Sequence, residues 1–120
     1  MQALNVRIDR KRVYGDRRLG LRDAALLALL QAGMTHREVA RARGRQFVQL
    51  DNGDLIVRDR TGQRTDLIRL APHQTAILLE YLEDQRIWGE PERHLFTGRG
   101  GRALSTVRIK KIAAIWRARA

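Results

Sequence analysis

The chain has no cysteine. Disulfides and thiolate metal sites are therefore excluded, and the composition suits a reducing compartment, so a cytoplasmic, nucleoid-associated location is expected. Aromatic residues make up only 5% of the 120 positions. That is thin material for a surface that stacks unpaired bases, which argues against single-strand or RNA recognition. Long apolar runs are absent too. The longest, Ala24 to Leu30, is far short of the roughly 20 residues of a membrane-spanning helix, so no membrane partner is expected. The opening residues, Met1-Gln-Ala-Leu-Asn, lack the charged and apolar blocks of a signal peptide. There is no internal repeat and no low-complexity tract. His36, His73 and His94 are far apart and have no ligand partners at metal spacing, so no metal is expected. There is no phosphate-loop or dinucleotide fingerprint, and Gly98-Arg-Gly-Gly does not supply one, so no cofactor is expected.

What the chain has is positive charge. Lys and Arg number 24 against 13 Asp and Glu, a net charge of +11. Only Lys11, Lys110 and Lys111 are lysines; the other basic residues are arginines. A GC-rich genome favours arginine codons and explains part of that preference, but not the excess of positive over negative charge. A field of this sign attracts phosphate backbones, whose neutralisation releases counterions. The arginine fork suits phosphates and guanine edges. Nucleic acid is favoured as the partner over an anionic membrane surface or an acidic protein.

The length is that of one domain. Residues 1–18 form a basic head in which Val6 and Ile8 alternate with polar residues; the pattern permits a short strand or an unfolded arm. Gly20 to Ala32 has helical apolar spacing, with Leu21, Ala24, Ala25, Ala28 and Leu29 on one face and Gly33 as the stop. Thr35 opens a second helix running to Arg43, and Glu38 three residues on completes a capping-box pattern. The period then changes to two. Gln46 to Leu50, Asp54 to Arg58 and Thr65 to Leu70 read as strands, joined by the hairpin signal Asp51-Asn-Gly-Asp and the turn Asp59-Arg-Thr-Gly-Gln-Arg. His73 to Ile87 reads as a helix, Leu95-Phe96 as a core insertion, and Gly98 to Gly101 as a turn. Ser105 caps a last helix, Thr106 to Ala118, whose apolar set is Val107, Ile109, Ile112, Ala113 and Trp116. Trp88 and Trp116 are expected to pack rather than to stack bases. The fold class is α+β, helices on a three-stranded antiparallel meander, in the order α-α-β-β-β-α-α.

These words in this order resemble the first part of the catalytic domain of tyrosine recombinases, the phage integrase family. The resemblance rests on Leu21-Arg-Asp-Ala-Ala-Leu-Leu-Ala-Leu-Leu-Gln-Ala-Gly, on Leu50-Asp-Asn-Gly-Asp-Leu-Ile-Val-Arg, on Thr61-Gly-Gln-Arg-Thr-Asp-Leu-Ile-Arg-Leu, and on His94-Leu-Phe-Thr-Gly-Arg-Gly-Gly-Arg-Ala-Leu-Ser with the closing helix. It covers residues 19–120. In the family an arginine lies in a helix start of the form Gly-Leu-Arg-x-x-Glu. Anchoring on Gly33 and Glu38 puts Thr35 at that position and leaves Arg37 two residues on. Arg60 stands where the family has a lysine between the second and third strands, and arginine is a poor proton donor. The family's His-x-x-Arg block and its nucleophilic tyrosine follow the closing helix, and the 120 residues stop before them. The tyrosines present are Tyr14, in the basic head, and Tyr81, in an apolar stripe. Strand transfer needs a nucleophile and a charge clamp on the phosphorane-like transition state. The resemblance with these departures implies a chain that is not an enzyme.

What the resemblance leaves is a grip on duplex DNA. The closing helix is expected to enter the major groove, with Arg102, Ser105, Arg108 and Lys111 on one stripe and Lys110 at its margin. Arg37, Arg41, Arg43 and Arg45 form a second group. Arg58, Arg60 and Arg64, around the second turn, form a third. The competing reading for each group is an ordinary solvated polar face. Gly33 to Gly44 also matches the first half of a helix-turn-helix, but Gln46-Phe-Val-Gln-Leu-Asp-Asn-Gly has strand chemistry where a recognition helix belongs. The expected function is a regulator of transcription or an accessory of recombination, of the kind mobile elements carry, pairing as a homodimer on repeated half-sites. The alternative is a protein-interaction module that docks a full-length recombinase or another acidic partner.

Overall fold

The computed structural model describes residues 17–59 and 67–118. Helix α1 (Arg17–Gln31) is followed by α2 (His36–Arg41), a 3-10 turn (Gly44–Gln46) and three strands, β1 (Phe47–Gln49), β2 (Leu55–Arg58) and β3 (Leu67–Arg69). Helix α3 (Pro72–Asp84), two further 3-10 turns (Ile87–Gly89 and Arg99–Gly101) and α4 (Thr106–Ala118) complete the order. The α-α-β-β-β-α-α reading of the sequence holds, and α4 has the expected bounds. The basic head lies outside the described residues apart from its end, Arg17 and Arg18, which belongs to α1. The expected strand start at Thr65 also lies outside them.

Local chemistry sets the helix ends. Gly33 adopts φ +113°, a conformation that favours glycine. Its N–H bonds the Leu30 carbonyl at 3.1 Å, and the Met34 N–H reaches back to Leu29, also at 3.1 Å. This is a Schellman stop, with Met34 buried beneath it. Thr35 and Glu38 form the reciprocal capping box, at 3.1 and 2.9 Å. α2 is shorter than expected, because Ala42 is already extended at φ −60°, ψ 138°. Ala42 and its neighbours pair with a distant loop instead. Leu95 N–H donates to Ala42, Gly44 N–H to Arg93, and Arg45 N–H to Pro91. A Cβ on Gly44 would run into the buried Ile87 side chain, so this close approach requires glycine.

The strands form an antiparallel meander, β1-β2-β3. Phe47 pairs with Val57, and Val57 with Ile68. Phe47, Leu55 and Val57 face the core, with Ile68 half-buried beside them. The Asp51-Asn-Gly hairpin is a three-residue loop. Leu50 N–H bonds Asp54 at 2.8 Å, and Gly53 takes φ +93°.

α1 packs against α3, and α2 packs against α4. Leu26, Leu29, Leu78, Leu82, Phe96, Ile109 and Ile112 join one core. α3 ends at Asp84 rather than at Ile87, because Arg86 is left-handed at φ +56°. Tyr81 stacks on Phe96 with ring centroids 5.4 Å apart and donates its hydroxyl to the Leu95 carbonyl at 2.8 Å. Trp116 donates its indole N–H to the buried Asp23 carboxylate at 2.8 Å, which ties the far end of α4 to α1.

Candidate nucleic-acid interface

The segment before α4 determines where that helix sits. Residues 91–95 are zipped to residues 42–45, and Arg43 and His94 form an isolated bridge. Thr97 bridges Ala103, with Leu104 N–H donating to Phe96 at 3.0 Å. Arg22 reaches the Thr97 carbonyl at 3.4 Å. The chain is thus delivered to Ser105 beside α2. Ser105 Oγ accepts the Arg108 N–H at 3.1 Å and caps α4 as expected.

α4 carries Arg108, Lys110, Lys111 and Arg117 and no acidic residue. All four cations are exposed, while Ile109, Ile112, Ala113 and Trp116 are buried. At about 100° per residue, Arg108 and Lys111 lie on one side of the exposed face, and Lys110 and Arg117 on the other. Arg108 and Lys111, the members of the expected stripe that lie within the helix, thus share a side, and Arg117 joins Lys110 on the other. Arg102 and Ser105 precede the helix, so helical spacing does not extend to them; Arg102 is extended and exposed at the end of the glycine turn. Arg117 was not singled out from the sequence. Its signal was its place seven residues after Lys110.

Val107 is a second correction. It was expected in the core, yet it is 62% exposed. It stands about 200° round the helix from Ile109, opposite the buried stripe. Trp88, expected to pack, is 44% exposed because the Ile87–Gly89 turn buries Ile87 instead.

The second group divides in two. Arg37 and Arg41 are exposed, one helical turn apart on α2 and opposite the buried Val39. Arg43 is half-buried, and its guanidinium donates to the Glu92 carbonyl. It is occupied in holding the loop to the 3-10 turn. Arg45 is exposed and pairs with Glu92 at 3.3 Å. Of the third group, Arg58 is exposed at the end of β2, and its Nε reaches the Arg45 carbonyl at 3.4 Å. Arg60 and Arg64 lie outside the described residues. The fold therefore gathers Arg45 with Arg58, and sets α2 with its Arg37 and Arg41 beside α4.

Sequence reasoning missed Gln46, which is buried under this cluster. Its Oε1 accepts the Arg43 N–H at 2.7 Å, and its Nε2 donates to the Arg58 and Asp59 carbonyls at 3.3 and 3.2 Å. One amide thereby fixes the backbone that presents Arg43, Arg45 and Arg58. Thr35, which the resemblance read from the residues sets at the family arginine's position, uses its side chain on the capping box. Tyr14 lies outside the described residues. Tyr81 is buried, and that burial pushes its pKa well above the ordinary tyrosine value.

No protein-family model matches the chain. Among curated proteins, the tyrosine recombinases XerC of Xanthomonas campestris pv. campestris strains B100 and 8004 are each 35% identical to it over 103 residues. The same holds for XerC of strain ATCC 33913. The match takes in 82% of this chain and 31% of theirs, so the chain spans about a third of the length of these relatives. The similarity is distant, lies at the level of the family, and agrees with the resemblance read from the residues. Among the described residues, no helix is long and apolar enough to cross a membrane.

Proposed function

We propose that this chain binds duplex DNA through α4, supported by Arg37, Arg41, Arg45 and Arg58, and that it does so without cutting the strand. The carrying observation is α4 itself, thirteen residues with four exposed cations and no acid. Counterion release makes such a surface a phosphate binder. The similarity to the tyrosine recombinases XerC supports DNA over another polyanion.

The non-cleaving half of the reading draws on Thr35 and Tyr81. A threonine hydroxyl cannot supply the positive charge that a guanidinium brings to a phosphorane-like transition state. Tyr81 is buried, hydroxyl-bonded to Leu95 and hard to ionise, which disfavours it as a nucleophile. The role that fits is a regulator of transcription or an accessory of recombination, with pairing on repeated half-sites as the route to specificity.

A salt series on a short random-sequence duplex tests the grip. If about six phosphates are neutralised, log K falls with log salt at a slope of roughly −5. A flat dependence, or no binding at low salt, overturns it. Denaturing gels of the same mixtures test cleavage, with Tyr14→Phe as the control. A covalent protein–DNA band would overturn the non-cleaving assignment alone.

A further inference from the structure

Among the described residues, the exposed large hydrophobic side chains are Leu67, Trp88, Val107 and Ile115. The last three lie in two patches of opposite charge. Val107 and Ile115 are on α4, and Lys111 stands midway between them in one row, spaced i, i+4, i+8 and about 12 Å long. At about 100° per residue, Arg108 stands about 20° from Ile115, while Lys110 and Arg117 lie on the far side of Val107. No acidic residue lies on this helix. Trp88 has the opposite setting. It stands on the Ile87–Gly89 turn just after α3, in a stretch, residues 80–92, where Glu80, Glu83, Asp84, Glu90 and Glu92 face Arg86 alone in the charge balance. That turn is firmly held. Ile87 is buried beneath it, and Glu90 N–H bonds the Ile87 carbonyl at 2.8 Å. The Arg93 guanidinium closes the loop, donating to the Gln85 carbonyl at 2.7 Å and to the Glu90 carboxylate at 2.8 Å.

A tryptophan on a rigid turn is a preorganised anchor of the kind found at the centres of protein interfaces. The row on α4 suits an indole. Val107 and Ile115 are apolar walls, the Lys111 stem is an apolar floor, and its ammonium can meet the ring face. The rims are complementary, acidic around Trp88 and basic around the row. Both patches are exposed in one molecule, so they pair between molecules. We propose that the partner is a second copy of this chain, with the Trp88 turn of one copy docked on α4 of the next. The indole lies against Val107, Lys111 and Ile115, and Glu83, Asp84 and Glu90 face the α4 cations. An unrelated acidic partner would meet those cations and leave Trp88 unused. The contact joins two different surfaces, so it builds rings or open chains rather than a two-fold pair. One turn against one helix face is a small interface, under about 1,200 Å² in total, so the association is reversible and depends on concentration. The contact itself needs no DNA. Its consequence rests on the DNA-binding reading above: α4 cannot hold a duplex and a second copy at once, so the two compete.

The experiment is sedimentation velocity over a series of protein concentrations, with the wild-type chain, Trp88→Ser and Val107→Glu. Near 0.1 M salt the screening length is about 10 Å. That damps the repulsion between chains of net charge +11 and leaves close pairs in force. Both substituted positions are exposed; circular dichroism checks the fold, and Glu83→Lys with Asp84→Lys is a second break on the acidic side. The wild type is expected to grow past dimers as concentration rises, and each variant to associate at least about tenfold more weakly. An equimolar mixture of Trp88→Ser and Val107→Glu should stop at dimers, because each copy keeps one intact face. A short duplex should dissolve the wild-type assemblies. A wild type that stays monomeric throughout overturns the contact, as does undiminished association in either variant or a mixture that forms no dimer. Assemblies that persist with duplex bound overturn the shared use of α4. Assembly without any duplex binding overturns the DNA reading and leaves the contact standing.

Discussion

α3 and α4 are each thirteen residues long, and each lays an apolar stripe into the same core. Their exposed faces are opposites. α3 carries Glu80, Glu83 and Asp84 and neither lysine nor arginine, whereas α4 carries four lysines and arginines and no acid. The whole sequence is skewed the same way, since no acidic residue follows Glu92. Burial therefore tells the two helices apart hardly at all. What distinguishes them is the sign of the charge on their exposed faces. Charge of one sign gathered on α4 is what the proposed grip on a polyanion would use.

The largest expected effect breaks that symmetry directly. Arg108→Glu with Lys111→Glu should lower affinity for a short duplex by at least about a hundredfold near 0.1 M salt, and should flatten the salt slope by more than two. Glu83→Lys with Asp84→Lys makes a change of the same size and opposite sign on α3. It should leave affinity unchanged or slightly raised, through net charge alone. Fluorescence anisotropy of a labelled duplex measures both. Equal losses from the two pairs would mean that α4 has no special place at the interface.

The buried sides of the two helices supply a smaller test. Each helix ends one aromatic side chain in a hydrogen bond, but to unlike acceptors. Tyr81 donates to a neutral carbonyl, and Trp116 donates to the Asp23 carboxylate, which also pairs with Arg22 at 3.3 Å. Bonds to charged groups contribute about twice as much as neutral ones. Tyr81→Phe is expected to cost about 1 kcal/mol of stability, and Trp116→Phe about 2–3 kcal/mol, part of it lost packing. Urea unfolding measures both. A reversed order would show that the Asp23 link is not what anchors α4 to α1.

That link also marks how far the sequence could be read. Caps, stops and turn residues act within four positions, so the Thr35–Glu38 box, the Gly33 stop, the Ser105 cap and the bounds of α4 were legible. So was the change to period two at Gln46, and with it the rejection of a recognition helix. Asp23 and Trp116 are 93 positions apart, and no local pattern announces a buried carboxylate waiting for an indole. Gln46 was missed for the same reason, since its partners at Arg58 and Asp59 come from another strand. Val107 was misread because its residue type put it with the apolar set, although the 3.6-residue period places it opposite the stripe that Ile109 and Trp116 centre. Arg43 looked like its arginine neighbours, yet a loop from residues 91–95 claims it.

His94 lies on the seam between the acidic and basic regions, paired across the backbone with Arg43. Its Nδ1 is buried without a hydrogen-bond partner. Desolvation lowers its pKa from the ordinary histidine value, and the Arg43 guanidinium lowers it further. The unfolded chain, free of both influences, takes up this proton more readily than the folded one. Stability from the neutral ring is thus fully present above the unfolded pKa of about 6.5 and is lost as pH falls below it, toward the lowered folded value. Urea midpoints should therefore decline between about pH 8 and about pH 5.5, where most carboxylates remain ionised. In His94→Asn that decline should flatten, because the substituted amide does not titrate. The effect is the smallest of the three, since it draws on one partly buried ring. It sharpens the comparison nonetheless: it asks whether the joint that carries α4 into place is held by a neutral histidine beneath an arginine. An undiminished decline in the variant would move the pH dependence elsewhere and leave the joint to its backbone hydrogen bonds alone.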